Sequence, residues 1–236
     1  MKLLQRLIFG FAALALAFLA LAKAAPDAAR PVHIALVGDS TVTDSAGWGA
    51  AFAKRLKPEV TCTNKARGGA STKSYRDGTK LWPEALALKP THVFIQFGHN
   101  DMPGKGEARE TDPATTFRDN LSRYIAEARA IGAQPIIVSS VTRRNFKDGK
   151  IVDLLAGYAA GAKAVAAKEK VPFIDLHARS IEAVTKLGPE GSAELGPMKD
   201  GKRDTTHFSP EGAAWAAELV IVELKRVMPE TAVWFK

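Results

Sequence analysis

The 236-residue chain predicts an α/β fold: a parallel sheet of five strands with helices on both faces. Three observations carry this. Short apolar runs alternate with helical patterns along the chain, which is the order of parallel strands joined by crossover helices. Right-handed crossovers place helices on both faces, giving three layers, α/β/α. Nothing between the runs has the composition of an interdomain linker, and there is no internal repeat, so one domain is expected.

The elements follow in order. Val32–Val37 reads as a buried strand ending at Gly38. Trp48–Leu56 reads as a helix and Glu59–Thr63 as the second strand. Lys80–Leu88 is helical, with Pro83 early in it. Val93–Phe97 is the third strand, again followed by glycine. Asp112 and Pro113 form an N-cap and first-turn pair. Beyond them Phe117, Leu121, Tyr124, Ala128 and Ile131 share one helix face, closed by Gly132. Pro135–Ser139 is the fourth strand, Asp153–Lys170 an Ala-rich helix, and Pro172–Asp175 the fifth strand. Residues 188–206 are rich in Gly, Pro, Lys and Asp and predict a long loop. Ser209 and Pro210 cap a final helix that runs to Val227.

Composition narrows the class. Hydrophobic residues at 46% and charged residues at 25% exclude a disordered, collagenous or polytopic membrane chain. The single cysteine, Cys62, excludes an intrachain disulfide framework and a Cys-rich zinc site. Residues 1–24 have the three-part layout of a secretory signal peptide: Lys2 and Arg6, an uncharged run from Leu7 to Ala22, then Ala22-Lys23-Ala24. The apolar run is short for a membrane span, which takes roughly 20 residues. The expected mature domain is residues 25–236, exported to the periplasm or secreted, with no span left after cleavage. Removing the three basic residues of the leader lowers the net charge from +8 to +5. No basic, aromatic-interleaved stripe exists, so nucleic acid is not an expected partner.

Ligands of such folds sit beyond the carboxyl ends of the strands, and chemistry is sought there. Gly38-Asp39-Ser40-Thr41 follows the first strand and presents a serine hydroxyl with backbone N–H groups beside it. Read alone, it is equally a polar turn. Gly68 and Gly69 follow the second strand and allow close backbone approach to a ligand, or simply a tight turn. Gly98-His99-Asn100-Asp101 follows the third; a carboxamide there is either an oxyanion donor or an Asx-turn residue. Asp204 and His207 lie three apart, close enough for the carboxylate to orient the imidazole. Each block is modest alone, and together they supply nucleophile, donors, base and orienting acid.

This four-block order, with the stretch Gly69, Ser71, Ser74, Tyr75, resembles the SGNH (GDSL) hydrolase superfamily and, more narrowly, the rhamnogalacturonan acetylesterases. The resemblance spans about His33 to Val227. It implies an SGNH hydrolase fold with the flavodoxin-like strand order 2-1-3-4-5. It implies Ser40 as nucleophile, His207 as base and Asp204 as its partner. It also implies an oxyanion hole of the Ser40 and Gly69 N–H groups and the Asn100 side chain, with Gly68 as the neighbouring alternative. No metal or cofactor is expected. The implied reaction is removal of O-acetyl groups from a polysaccharide or oligosaccharide by a monomeric enzyme. Two other readings stand beside it: the same triad on acetyl-xylan, lipid or thioester substrates, and a non-catalytic glycan-binding protein.

Other residues compete for these roles. Ser71 and Ser74 are expected to be loop hydrogen-bonders, and Asp175 and His177, with one residue between them, to be structural. His33 and His92 open strands and His99 shapes the oxyanion loop. Cys62 is expected to be buried and inert. Arg143 and Arg144 follow the fourth strand and, with Arg67, Lys73 or Arg76, are candidate partners for substrate carboxylates.

Overall fold

Alternation along the first strand decides the layering. Ile34 and Leu36 point to one face and Ala35 and Val37 to the other, and all four are fully buried. A strand buried on both faces must be covered by helices on both. The structure, a computed structural model, describes residues 30–236, and the leader expected at residues 1–24 lies outside them. Residues Pro31–Lys236 form one compact unit.

In chain order the elements up to the fourth strand are β1 (His33–Gly38), α1 (Gly49–Arg55), β2 (Thr61–Asn64), α2 (Thr72–Asp77), α3 (Leu81–Ala87), β3 (His92–Gln96), α4 (Thr116–Ala130) and β4 (Gln134–Val138). A short hairpin, β5 (Phe146–Lys147) and β6 (Lys150–Ile151), precedes α5 (Ala156–Glu169) and β7 (Phe173–Ile174). Then come α6 (Leu176–Ala193), the hairpin β8 (Met198–Lys199) and β9 (Lys202–Arg203), and α7 (Pro210–Val227). The main sheet is parallel throughout, in the order β2-β1-β3-β4-β7. This is the expected order 2-1-3-4-5, with β7 as its fifth strand. The order reverses between β1 and β3, so the loops after these two strands leave the sheet side by side.

One face of the sheet packs on α1 and α7 through Phe52, Phe94, Val220 and Leu224. The other packs on α4 and α5 through Phe117, Leu121, Tyr124 and Val165. The predicted face of α4 is the buried one: Phe117, Leu121, Tyr124 and Ala128 all point inward.

The expected loop at residues 188–206 is corrected. Helix α6 runs on to Ala193 across a break at Gly188, whose φ of 69° reverses the backbone. Pro189 then opens the second helical piece, where its missing N–H costs no hydrogen bond. The remainder folds into the β8–β9 hairpin. Turn-forming residues here punctuate regular structure rather than replace it.

Tight packing surrounds the segment after β1. A Cβ on Gly47 would collide with the backbone carbonyl group of Thr41 and the amide nitrogen of Val42. Backbone cannot swing aside as a side chain can. Gly47→Ala is therefore expected to lower stability by at least about 1–3 kcal/mol, read as a shift in the urea midpoint with unchanged slope. A midpoint equal to that of the parent would show that the loop yields.

Candidate active site

Ser40 lies two residues beyond the end of β1, in a turn rather than at a helix start; the next helix begins at Gly49. The Asp39 side chain makes the turn. Its Oδ1 accepts from the Thr41 N–H at 2.9 Å and the Thr41 hydroxyl at 2.7 Å, and its backbone carbonyl accepts from Val42 at 3.1 Å. The half-exposed Ser40 is thereby lifted above a fully buried carboxylate.

The distant block meets it there. His207 Nε2 stands 2.9 Å from Ser40 Oγ, and His207 Nδ1 2.8 Å from Asp204 Oδ2. The other Asp204 oxygen accepts from the backbone N–H groups of Thr206 at 2.6 Å and His207 at 2.9 Å. Partial burial works against ionisation of Asp204, but the His207 ring and these two N–H groups outweigh it and hold the carboxyl at about 2. An ionised Asp204 only accepts, so the imidazole proton sits on Nδ1 and Nε2 is free to take the serine proton.

The glycine loop closes a second side. A Cβ on Gly68 would lie 3.9 Å from the Ser40 Cβ, and Gly69 adopts φ +76°. The Arg67 N–H donates to the Gly38 carbonyl at 3.0 Å, fastening this loop to the end of β1. Buried Asn100 donates from Nδ2 to the Ala70 carbonyl at 3.0 Å and keeps a second amide hydrogen unused by that bond. Asp101 ties the same two loops: it accepts from the Thr72 N–H at 3.0 Å, from the Thr72 hydroxyl, and from Thr111 Oγ1 at 2.9 Å. Burial pushes the Asp101 carboxyl up to about 7, against the pull of the Thr72 and Thr111 donors.

Beneath Ser40 runs a chain of buried polar groups whose connections the sequence did not show. Trp48 Nε1 donates to Gln96 Oε1 at 2.9 Å, Gln96 Nε2 to Thr41 Oγ1 at 2.6 Å, and Thr41 to Asp39. His99 Nδ1 reaches Asp39 Oδ2 at 3.2 Å. Burial opposes the charge on Asp39, but His99 and Thr41 outweigh it and hold the carboxyl below the usual range. The only sequence signal was a polar residue before a serine, which any turn supplies.

The reading of Arg144 as a substrate contact is corrected. Arg144 is 4% exposed, and its Nη2 donates to the carbonyls of Asp204 at 2.7 Å and His207 at 2.6 Å. Its guanidinium also lies over the Phe208 ring at 5.0 Å. It props the Asp204–His207 loop from behind. Arg143 is half-buried and donates to Thr206 Oγ1 and, at 3.4 Å, to the His99 carbonyl.

The competing residues have other work. Ser71 and Ser74 form a capping box on α2. Asp175 caps α6, and His177 pairs with Asp153 at 3.1 Å. His33 meets Thr63, and His92 packs against Trp234. Cys62 is partly rather than fully buried, and burial still pushes its thiol up to about 12. Arg76 is held by Glu127 through two hydrogen bonds, and Lys73 donates to the Glu107 carbonyl.

Two outcomes follow. Arg144→Met should displace the Asp204–His207 loop and reduce ester turnover by roughly 10²-fold, a loss expected of misplaced reacting groups; turnover within twofold of the parent would free Arg144 of this role. The depressed Asp39 carboxyl stabilises the fold above the ordinary carboxylate range, and this contribution is lost as pH falls through its lowered value. Asp39→Asn should accordingly narrow the difference in Tm between pH 7 and pH 3; an unchanged difference would count against the buried charge.

Residues 35–215 match the GDSL-like lipase/acylhydrolase family. The chain is 38% identical over 211 residues to the rhamnogalacturonan acetylesterase RhgT of Bacillus subtilis (strain 168), covering 81% of this chain and 88% of that protein. It is 34% identical over 202 residues to YesY of the same organism, named a probable rhamnogalacturonan acetylesterase, covering 83% and 93%. A Bacillus subtilis protein of known crystal structure superposes with a TM-score of 0.69 at 29% identity; the match covers 83% of this chain but only 56% of that one. A serine raised at the end of β1, within a family match that runs from β1 into the first turns of α7, leaves one conclusion: the chain belongs to the GDSL-like (SGNH) lipase/acylhydrolase family and is a hydrolase of ester bonds.

Proposed function

We propose that the chain is an exported serine acetylesterase that removes O-acetyl groups from a pectic polysaccharide, with acetylated rhamnogalacturonan as its substrate class. The observation that carries the chemistry is the linear relay from Ser40 Oγ through His207 to Asp204, with spacings of 2.9 and 2.8 Å. The pectic substrate is supported by the two Bacillus subtilis relatives, matched over most of their length. Export is supported by the leader-like pattern of residues 1–24. One chain carries every group the reaction needs, so a monomer suffices.

In the proposed reaction His207 Nε2 takes the Ser40 proton while Oγ attacks the acetyl carbonyl. The oxyanion forms against the N–H groups of Ser40 and Gly69 and the free amide hydrogen of Asn100. The bond to the sugar oxygen breaks, and the imidazolium gives that oxygen its proton. Water, deprotonated by His207, then attacks the acetyl-enzyme. Acetate leaves and Ser40 regains its hydrogen.

The test measures acetate released from acetylated rhamnogalacturonan, acetyl-xylan and an aryl acetate, with Ser40→Ala in parallel. Ser40-dependent release that favours the pectic polymer is expected. Preference for xylan would retain the relay and overturn the pectic assignment; release that persists in Ser40→Ala would place the nucleophile elsewhere. Asn100→Ala should cost roughly 10²–10³ in kcat, with Tm recorded because the same side chain holds Ala70. A loss below about tenfold would remove Asn100 from the oxyanion hole.

A further inference from the structure

Of the cations proposed for substrate carboxylates, most are already engaged. Arg144 is buried on the Asp204–His207 loop, Arg76 is paired with Glu127, and Lys73 is on a backbone carbonyl. Arg67 is not: it is exposed, and among the described residues no acid or carbonyl holds its guanidinium. The fold brings it a companion from another loop. Arg109 donates from Nε to the Lys105 carbonyl at 2.8 Å, which fixes the side chain but leaves its terminal nitrogens available. Its Nη1 would stand 3.8 Å from a Cβ on Gly69.

Arg67 and Arg109 line a single cavity of about 280 Å³ whose floor is the Gly68–Gly69 loop. No acidic residue lines it. Gly68, which lines the cavity, also borders the nucleophile: a Cβ there would lie 3.9 Å from the Ser40 Cβ. Two guanidinium groups without acidic partners, facing one small cavity, are arranged to take a planar anion through charge-assisted hydrogen bonds. The volume is on the scale of a single sugar ring, not of a longer oligomer. Glycine at positions 68 and 69 keeps the floor free of side chains, so a ring can lie close to the backbone that borders Ser40.

We infer that Arg67 and Arg109 form a uronate-binding subsite, which holds a sugar carboxylate of the polymer beside the acetyl group presented to Ser40. This rests on the proposed esterase reading and adds the residues that select an acidic over a neutral chain. The subsite is a specificity device. Once the carboxylate is seated, the acetyl group on the same or the adjoining sugar is directed to the serine, while Arg143 stays on Thr206 and His99.

The experiment compares acetylated polygalacturonate with the same polymer after methyl esterification, using Arg67→Gln, Arg109→Gln and the double variant. In the double variant, kcat/KM for the free acid should fall roughly 10- to 100-fold further than for the methyl ester, as expected when charge-assisted bonds are lost. Loss confined to KM and weakened by added salt is the expected pattern. Equal changes on the two polymers, or none, would overturn the subsite. Arg67→Gln alters an exposed side chain, so it reports even if the double variant folds poorly. Calorimetric binding of oligogalacturonate in a Ser40→Ala background separates this inference from the esterase reading. Binding that is lost with the arginine changes supports the subsite even if the parent releases no acetate. Binding that is equal with and without the arginines refutes it even if acetate is released.

Discussion

The buried carboxylate of Asp39 organises the rest of the site. A fully desolvated charge is costly unless every lone pair finds a donor. Here Thr41 gives two and His99 a third, so the turn that carries Ser40 is set by the need to satisfy the acid beneath it. The same Thr41 hydroxyl accepts from Gln96, which in turn accepts from Trp48, so the satisfaction of one charge is spread through β3 and the entrance to α1. Breaking any member leaves another polar group unpaired in a dry interior, which is why such a network holds a single geometry.

A similar economy supports the opposite wall. The Asp204–His207 loop has little regular structure of its own, and Arg144 compensates by donating to the carbonyls of Asp204 and His207 from behind. Burial lowers the Arg144 guanidinium to about 10, with Asp204 nearby offsetting part of that cost. The site thus sits between a buried anion under Ser40 and a buried cation behind His207. Asp101 joins the two remaining loops by holding Thr72 and Thr111 at once. Four loops far apart in sequence are fixed to one another by polar groups that never need to touch substrate.

The fold was legible because its signal is local and repeated. Alternation in β1, the spaced apolar face of α4 and the Ser209-Pro210 cap each follow from a few neighbouring residues. The region 188–206 misled because Gly and Pro mark turns and helix starts alike; only the packing of α6 showed that Gly188 and Pro189 break a helix and restart it. At the candidate site, the three side chains that meet, Ser40, Asp204 and His207, are legible from their motif order. Arg144 was misread because a cation after a strand end looks the same in sequence whether it faces solvent or turns inward.

By itself the sequence determined the order of the five main-sheet strands and of every long helix but α6, the position of a serine at the end of the first strand, and the Asp and His three apart in the last loop; the short α2 and the whole of α6 were not legible in it. The legible features depend on short-range periodicity and spacing, which a chain carries in any conformation. Tertiary structure alone decided which polar groups meet. Asp39 with His99, Arg144 with the carbonyls of the last loop, and Arg67 with Arg109 across the glycine floor each join segments that no local rule connects. The physical reason is that burial, and with it the demand that each buried charge find its partner, exists only once the sheet has assembled and its loops have been brought to one edge.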